Sequence, residues 1–167
     1  DRCGDFVDAH KSLCPCYLVS EEVMVKMSVE KTPQGILAEL RMEEMALDQM
    51  VKHAKRLLIL DQLQDPGNLG TLLRTLDATG EGGLILSSQS VDIYHPKTIR
   101  STMGAIYRVP FVSRVELKDI IKALQQQGFT VWATTLTPES VTLFEATFNQ
   151  KEAFVIGNEG NGVSQEV

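Results

Sequence analysis

The stretch from Leu57 to Gly80, LLILDQLQDPGNLGTLLRTLDATG, constrains this chain more than any other. Leu57 to Leu60 is a short apolar run of the kind that forms a buried strand. Asp65-Pro66-Gly67-Asn68 reads as a polar turn. Leu69, Leu72, Leu73 and Leu76 then recur at i, i+3, i+4 and i+7, which places one leucine stripe against a sheet. Gly80 stands where such a helix stops. Arg74 lies off the stripe, and its side chain leans back toward the helix N-terminus, the end at which Asn68 sits. That end is the carboxyl edge of the strand, where open α/β sheets bind their ligands.

The same alternation continues downstream. Gly82-Gly83 leads into a buried strand at Leu84–Leu86, and Pro96–Met103 forms a helix opened by its proline. Arg108–Val112 is a short extended run containing a proline. Ser113-Arg114-Val115-Glu116 has the form of a capping box for a helix carrying Leu117, Ile120, Ile121 and Leu124, which Gly128 ends. Phe129–Thr134 is the next strand, with Phe129 and Trp132 in the core, and Ala153–Ile156 is the last. Strands alternating with helical patterns predict an α/β fold with a parallel sheet and helices on both faces.

Upstream the pattern is weaker. Tyr17–Val19 and Ile36–Leu40 are strand candidates and Glu21–Met27 a short helix, with too little apolar content for a core of their own. Residues 1–40 therefore read as the C-terminal remnant of a small N-terminal domain. Residues 41–55 read as a charged connector with a short helix and a solvated His53, and residues 56–167 as the main domain. The methionines Met24, Met27, Met42, Met45 and Met50 read as packing and connector residues.

Composition removes several classes. No apolar run approaches the roughly 18 residues of a membrane span, and no signal peptide opens the chain. A net charge of -6 argues against a protein that coats nucleic acid nonspecifically, while leaving room for a local basic strip such as Lys97, Arg100 and Arg108. Cys3, Cys14 and Cys16 lack a second Cys or His pair at zinc spacing, so no metal is expected and the thiols read as reduced, in a cytoplasmic protein. His95, before a proline in a loop, carries no expected chemistry.

A second loop, Gly157-Asn158-Glu159-Gly160-Asn161-Gly162, follows the last strand. Its G-x-x-G-x-G order is not the dinucleotide fingerprint, and no Gly-Lys-Ser/Thr occurs. Glycines at this density still let a backbone approach a ligand closely. Glu159 falls at the same sheet edge as Asn68.

NLGTLLRT after one strand and FVIGNEGNGVS after a later one, with HPKTIRSTMGAIYRVPF between them, closely resemble the SpoU (TrmH-like) family of RNA ribose 2′-O-methyltransferases, in the SPOUT superfamily of trefoil-knot folds. The resemblance covers roughly residues 57–167. TPQGILAEL, within residues 17–40, resembles the end of the small ribosomal-protein-like RNA-binding domain that many members carry in front. The resemblance implies Arg74 as the catalytic residue at the target ribose, fixed by Asn68 and Glu159. It implies S-adenosylmethionine held by Thr134, Thr135, Leu136, Ile156, Gly157, Asn158 and Gly160, an RNA partner (tRNA or rRNA) and a homodimer. The family's third motif, Ser-Leu-Asn-x-Ser on the segment that threads the knot, is missing from these residues, so the domain is expected to be truncated at its C-terminus.

A guanidinium stays charged in proteins, so Arg74 suits the holding of a phosphate and the stabilising of charge on the oxygen better than proton abstraction. Two rival readings stand beside this one. A nucleotide-cofactor oxidoreductase would need a glycine fingerprint after the first strand, where only Gly67 and Gly70 stand. A non-catalytic RNA-binding or assembly protein would keep the fold without transfer.

Overall fold

The structure, a computed structural model, describes residues 2–30, 32–42, 44–80 and 82–167, with the backbone alone at residues 2 and 3. It divides into two units, residues 1–42 and 43–167.

The first unit holds α1 (Arg2–His10) and α2 (Glu21–Met27). The second helix has the bounds its sequence predicts, because Ser20 caps it by accepting from the Val23 amide at 3.4 Å. The first helix was not expected; it is held by pairs one turn apart, the stacked rings of Phe6 and His10 at 4.2 Å and the Lys11–Asp8 ion pair. Tyr17–Val19 and Ile36–Leu40 are irregular rather than strands. A strand needs a neighbour for its backbone groups, and no strand occurs among the described residues of this unit. None of those residues has a buried side chain, and Leu18 is fully exposed. Cys14 and Cys16 are free, exposed thiols; the side chain of Cys3 lies outside the described residues.

The second unit begins with α3 (Leu47–His53), whose Met50 and Val51 are buried, so part of the expected connector belongs to the core. His53 is exposed as expected; of the methionines read as packing and connector residues, Met50 packs, whereas Met27, Met42 and Met45 are exposed. After α3 come β1 (Arg56–Leu60), α4 (Pro66–Thr79), β2 (Gly83–Ser87), α5 (Pro96–Ser101), a 3-10 turn (Ala105–Tyr107), β3 (Phe111–Val115), α6 (Leu117–Gln126), β4 (Thr130–Ala133) and β5 (Glu152–Ile156). All five strands are parallel, in the order β3-β2-β1-β5-β4.

Alternate residues of the central strand feed two cores. Leu57 and Ile59 join Ile85, Ala153 and Val155 under α3 and α6, with Leu117, Ile121 and Leu124 facing them. Leu60 joins Leu84, Leu86 and Phe111 on the other face, under Leu69 and Leu73 of α4. Two covered faces explain why β1 reads as an unbroken apolar run. Each fully buried leucine contributes about 1.5–3 kcal/mol.

The start of α4 follows from its sequence. Asp65 is the N-cap, accepting from the Asn68 amide at 2.7 Å, and Pro66 fills the first helical position, where no N–H is needed. Gly80 ends the helix in the left-handed region, φ 66°. Against α4 lies α5, and the two approach at Gly70, where a Cβ would stand 2.1 Å from Ser101 Oγ. That hydroxyl donates to the Pro66 carbonyl at 2.8 Å and so fastens α5 to the first turn of α4. Gly70→Ala is therefore expected to destabilise the protein by about 1–3 kcal/mol, measured by urea unfolding; a smaller loss would mean that the helices part freely.

Two local expectations need correction. Ser113–Glu116 is no capping box: Ser113 lies in β3, its amide and hydroxyl both donating to the Glu44 carboxylate at 3.0 and 2.8 Å. The helix starts after Glu116, whose carboxylate accepts instead from Ser88 Oγ at 2.7 Å. Trp132 is half-buried on the edge strand β4, its Nε1 donating to Glu152 at 2.6 Å, while Phe129 is buried as expected.

Candidate active site

The strand order reverses between β1 and β5. Chain direction runs outward from β1 through β2 to β3, then returns to the far edge at β4 and inserts β5 beside β1. Crevices at such switch points, beyond the carboxyl ends of the strands, are the binding sites of open parallel sheets. The two loops singled out by sequence leave the sheet there: residues 61–65 from β1 and residues 157–162 from β5.

The loop after β5 is a closed turn. Asn158 and Gly162 exchange amide-to-carbonyl hydrogen bonds at 2.9 Å in each direction. The Asn158 side chain accepts from the amides of Gly160 and Asn161 at 2.9 and 3.0 Å and donates to the Gln62 carbonyl at 2.9 Å. Its side chain is therefore occupied in building the loop and tying it to the other one. Gly157 is required on steric grounds: a Cβ there would stand 2.0 Å from the Gly162 carbonyl carbon and 2.2 Å from the Val163 nitrogen.

Glu159, at the tip, reaches across the switch point. Its carboxylate accepts from the amides of Gln64 and Asp65 at 3.3 and 3.1 Å, and from Asn68 Nδ2 at 3.2 Å. Asn68 and Glu159, 91 residues apart, are thus brought together. Arg74 is not in that contact. It lies on the exposed side of α4, six positions or about 9 Å of helix rise beyond Asn68. Among the described residues it makes no hydrogen bond or ion pair.

The Glu159 carboxyl titrates below the usual carboxylate range. Hydrogen bonding from its own backbone amide is the main cause, with Asn68, Asp65 and Gln64 adding to it against a smaller opposing effect of burial. A group lowered in this way contributes stability that is complete above its ordinary value and is lost as pH falls through the lowered one. The clasp between the loops should accordingly survive acidification through the ordinary glutamate range and open only below it. A carbon-13 titration of Glu159 checks this. Glu159→Gln, which can accept at only one of its two atoms, should loosen the clasp by about 1 kcal/mol at neutral pH.

The remaining expected residues lie at the neighbouring strand ends. Thr134 donates through both its amide and its hydroxyl to the Val155 carbonyl, at 3.0 and 2.8 Å, and so locks the exit of β4 to β5. The carbonyl of Thr135 accepts from Ser140 at 3.0 Å, and Leu136 is fully exposed. Ile156 is half-buried, its carbonyl taken by the Asp61 amide at 2.8 Å. Lys97 and Arg100 are exposed on α5. Arg108 is engaged with Asp77, at 2.6 Å.

Sequence reasoning missed three residues here. Asp61 is buried, and its carboxylate accepts from the Ser164 amide at 2.6 Å, fixing the chain beyond the glycine loop to the end of β1. Gln62 adopts a left-handed conformation, φ 57°, with its amide bonded to Ser87 Oγ and its carbonyl to Asn158 and Gln64. Backbone strain held in place by several partners is usual at functional loops. Gln64 adds a bond to the Gln89 carbonyl at 2.8 Å. The available signal was the carboxylate of Asp61 directly after four apolar strand residues, a charge that must be buried and therefore paired.

The sequence pattern of the SpoU rRNA Methylase family matches residues 55–167. The chain belongs to this family. A Synechocystis protein named as an uncharacterized tRNA/rRNA methyltransferase is 38% identical over 152 residues, 90% of this chain and 54% of its own length. The 23S rRNA (guanosine(2553)-2′-O)-methyltransferase of Bacillus subtilis is 34% identical over 148 residues, 89% of this chain and 57% of its own. The chain thus spans little more than half the length of these relatives. Among solved structures, an AdoMet-bound rRNA methyltransferase from Sinorhizobium meliloti superposes with a TM-score of 0.83 at 28% identity, covering 99% of this chain and 64% of that one. The SpoU methyltransferase AviRb from Streptomyces viridochromogenes, in complex with AdoMet, does so at 0.64 and 29%, covering 74% and 49%. The five-stranded parallel sheet is therefore the SpoU methyltransferase fold, and the loops at its switch point are those in which the family resemblance was found.

Proposed function

We propose that the protein transfers a methyl group from S-adenosylmethionine to a ribose 2′-hydroxyl of tRNA or rRNA, as a cytoplasmic homodimer. The observation that carries this reading is the Glu159–Asn68 bond across the switch point, on the helix whose exposed Arg74 has no ion-pair partner among the described residues. The Bacillus relative, named for 2′-O methylation of a guanosine, supports ribose as the acceptor.

The residues at the ends of β4 and β5 fit such a cofactor. The amides of Leu136 and Gly157 donate to no acceptor among the described residues, and Leu136 and Ile156 offer aliphatic surface beside them. Neutral amides and aliphatic walls suit a purine and an amino-acid chain; a polyphosphate would call for a lysine in the loop, and residues 157–162 have none. When bound, S-adenosylmethionine supplies a methyl already activated on a sulfonium.

The protein's part is alignment and charge. Arg74, permanently protonated, donates hydrogen bonds to the phosphate beside the target ribose and stabilises negative charge developing on its 2′-oxygen. Glu159 and Asn68 hold the first turn of α4, and hence the bearing of that helix, against the cofactor loop. Lys97 and Arg100 on α5 face the RNA phosphates.

The test uses the full-length protein, labelled S-adenosylmethionine and RNA from source cells lacking the gene. A methylated 2′-oxygen cannot attack the adjacent phosphate, so the label should survive alkaline hydrolysis within a dinucleotide. Label released as a mononucleotide would place the methyl on a base and reject the ribose reading.

A further inference from the structure

An arginine can serve a phosphate only while no carboxylate of its own protein holds it. Asp77 lies three residues beyond Arg74 on α4, the i, i+3 spacing at which such side chains pair across a helix surface. The other residues one turn from Arg74 are Gly70, Thr71 and Ala78, none of them acidic. Asp77 nevertheless does not engage Arg74. Arg108 takes both its oxygens, Nε donating to Oδ1 at 2.9 Å and Oδ2 at 3.1 Å and a terminal nitrogen to Oδ2 at 2.6 Å. A planar guanidinium gripping a carboxylate with two nitrogens is the strongest common form of this pair.

The fold places Arg108 for this contact. It closes the 3-10 turn, its amide donating to the Ala105 carbonyl at 3.0 Å, between buried Ile106 and Val109. The pairing with Arg108 also holds the Asp77 carboxyl below its usual range.

We propose that Arg108 is a positioning residue: it occupies Asp77 and thereby keeps Arg74 open to the RNA. This rests on the reading of Arg74 given above. It differs from a direct phosphate contact by Arg108 in one respect. If Arg108 acts through Asp77, its loss is harmful only while Asp77 is present.

The experiment compares full-length wild type, Arg108→Gln, Asp77→Asn and the double variant, using methyl transfer to RNA from source cells lacking the gene. Arg108→Gln should lower kcat about threefold, the order of effect an i, i+3 pair supports. The double variant should recover wild-type kcat, and S-adenosylmethionine affinity by calorimetry should be the same in all four. A carbon-13 titration of Asp77 supplies a readout apart from activity. In Arg108→Gln its carboxyl should stay below the usual range, because Arg74 replaces Arg108, and should return to that range when Arg74→Ala is added. A double variant as slow as Arg108→Gln would overturn the proposal, as would an Asp77 that titrates normally in Arg108→Gln. Should wild type transfer no methyl, or Arg74→Ala transfer it as well as wild type, the functional reading fails instead. The Asp77 titration still decides whether the carboxylate passes from one arginine to the other.

Discussion

Arg74→Ala in the full-length protein is expected to lower methyl transfer about 10²–10³-fold, the usual loss when one preorganised donor to a developing oxyanion is removed. Affinity for S-adenosylmethionine should be unchanged, because Arg74 stands about 9 Å along α4 from Asn68 and, among the described residues, makes no hydrogen bond or ion pair with the loops after β4 and β5. Transfer kinetics and calorimetry read the two quantities separately. Arg74→Lys keeps the charge but not the planar fork, and should restore only a part of the rate. If cofactor affinity falls in parallel with rate, Arg74 belongs to the methyl-donor side of the site and the assignment is wrong.

Gly157→Ala should produce the second large effect, with the opposite split. The added methyl would meet backbone atoms of Gly162 and Val163 at 2.0–2.2 Å, and backbone cannot swing away as a flexible side chain can. The loop must open, breaking the paired bonds between Asn158 and Gly162 and moving Glu159 off the amides of Gln64 and Asp65. We expect a stability loss of about 1–3 kcal/mol and a large weakening of S-adenosylmethionine binding. Thermal melting and calorimetry measure these. Unchanged binding would mean that the loop's closed form is not the cofactor-binding one.

Elements announced by local signals were legible in the sequence. Leu57–Leu60 is legible as an apolar run, α4 from the period of its leucine stripe, its end from Gly80 after the stripe, and α2 as a short helix over Glu21–Met27. Signals of the same kind misled wherever a distant partner decided the outcome. Ser113 carries the letters of a helix cap, yet Glu44, 69 residues earlier, draws it into β3. Tyr17–Val19 has the composition of a strand but, among the described residues of its unit, no neighbouring strand with which to form a ladder.

The candidate site divides in the same way. Asn68 and Glu159 could be placed at one sheet edge because both follow strands, and the structure joins them directly. The Asp61–Ser164 and Asp77–Arg108 contacts link residues 103 and 31 apart, and no spacing rule in one sequence reports such a meeting. Arg108 is instructive here: as a letter it is one more cation for RNA, and only the fold gives it a carboxylate to hold.

The position of β5 between β1 and β4 has a consequence for how the protein is made. Strands 1 to 3 and their helices can associate as they leave the ribosome, but the edge of β1 that will receive β5 stays open until β5 emerges. Pairings between such distant segments form slowly, since a long loop must close before any contact compensates for it. Glu159 cannot find Asn68 before that insertion. The clasp between the two loops therefore closes only once β5 has taken its place, and a chain still short of that step holds the first turn of α4 without it.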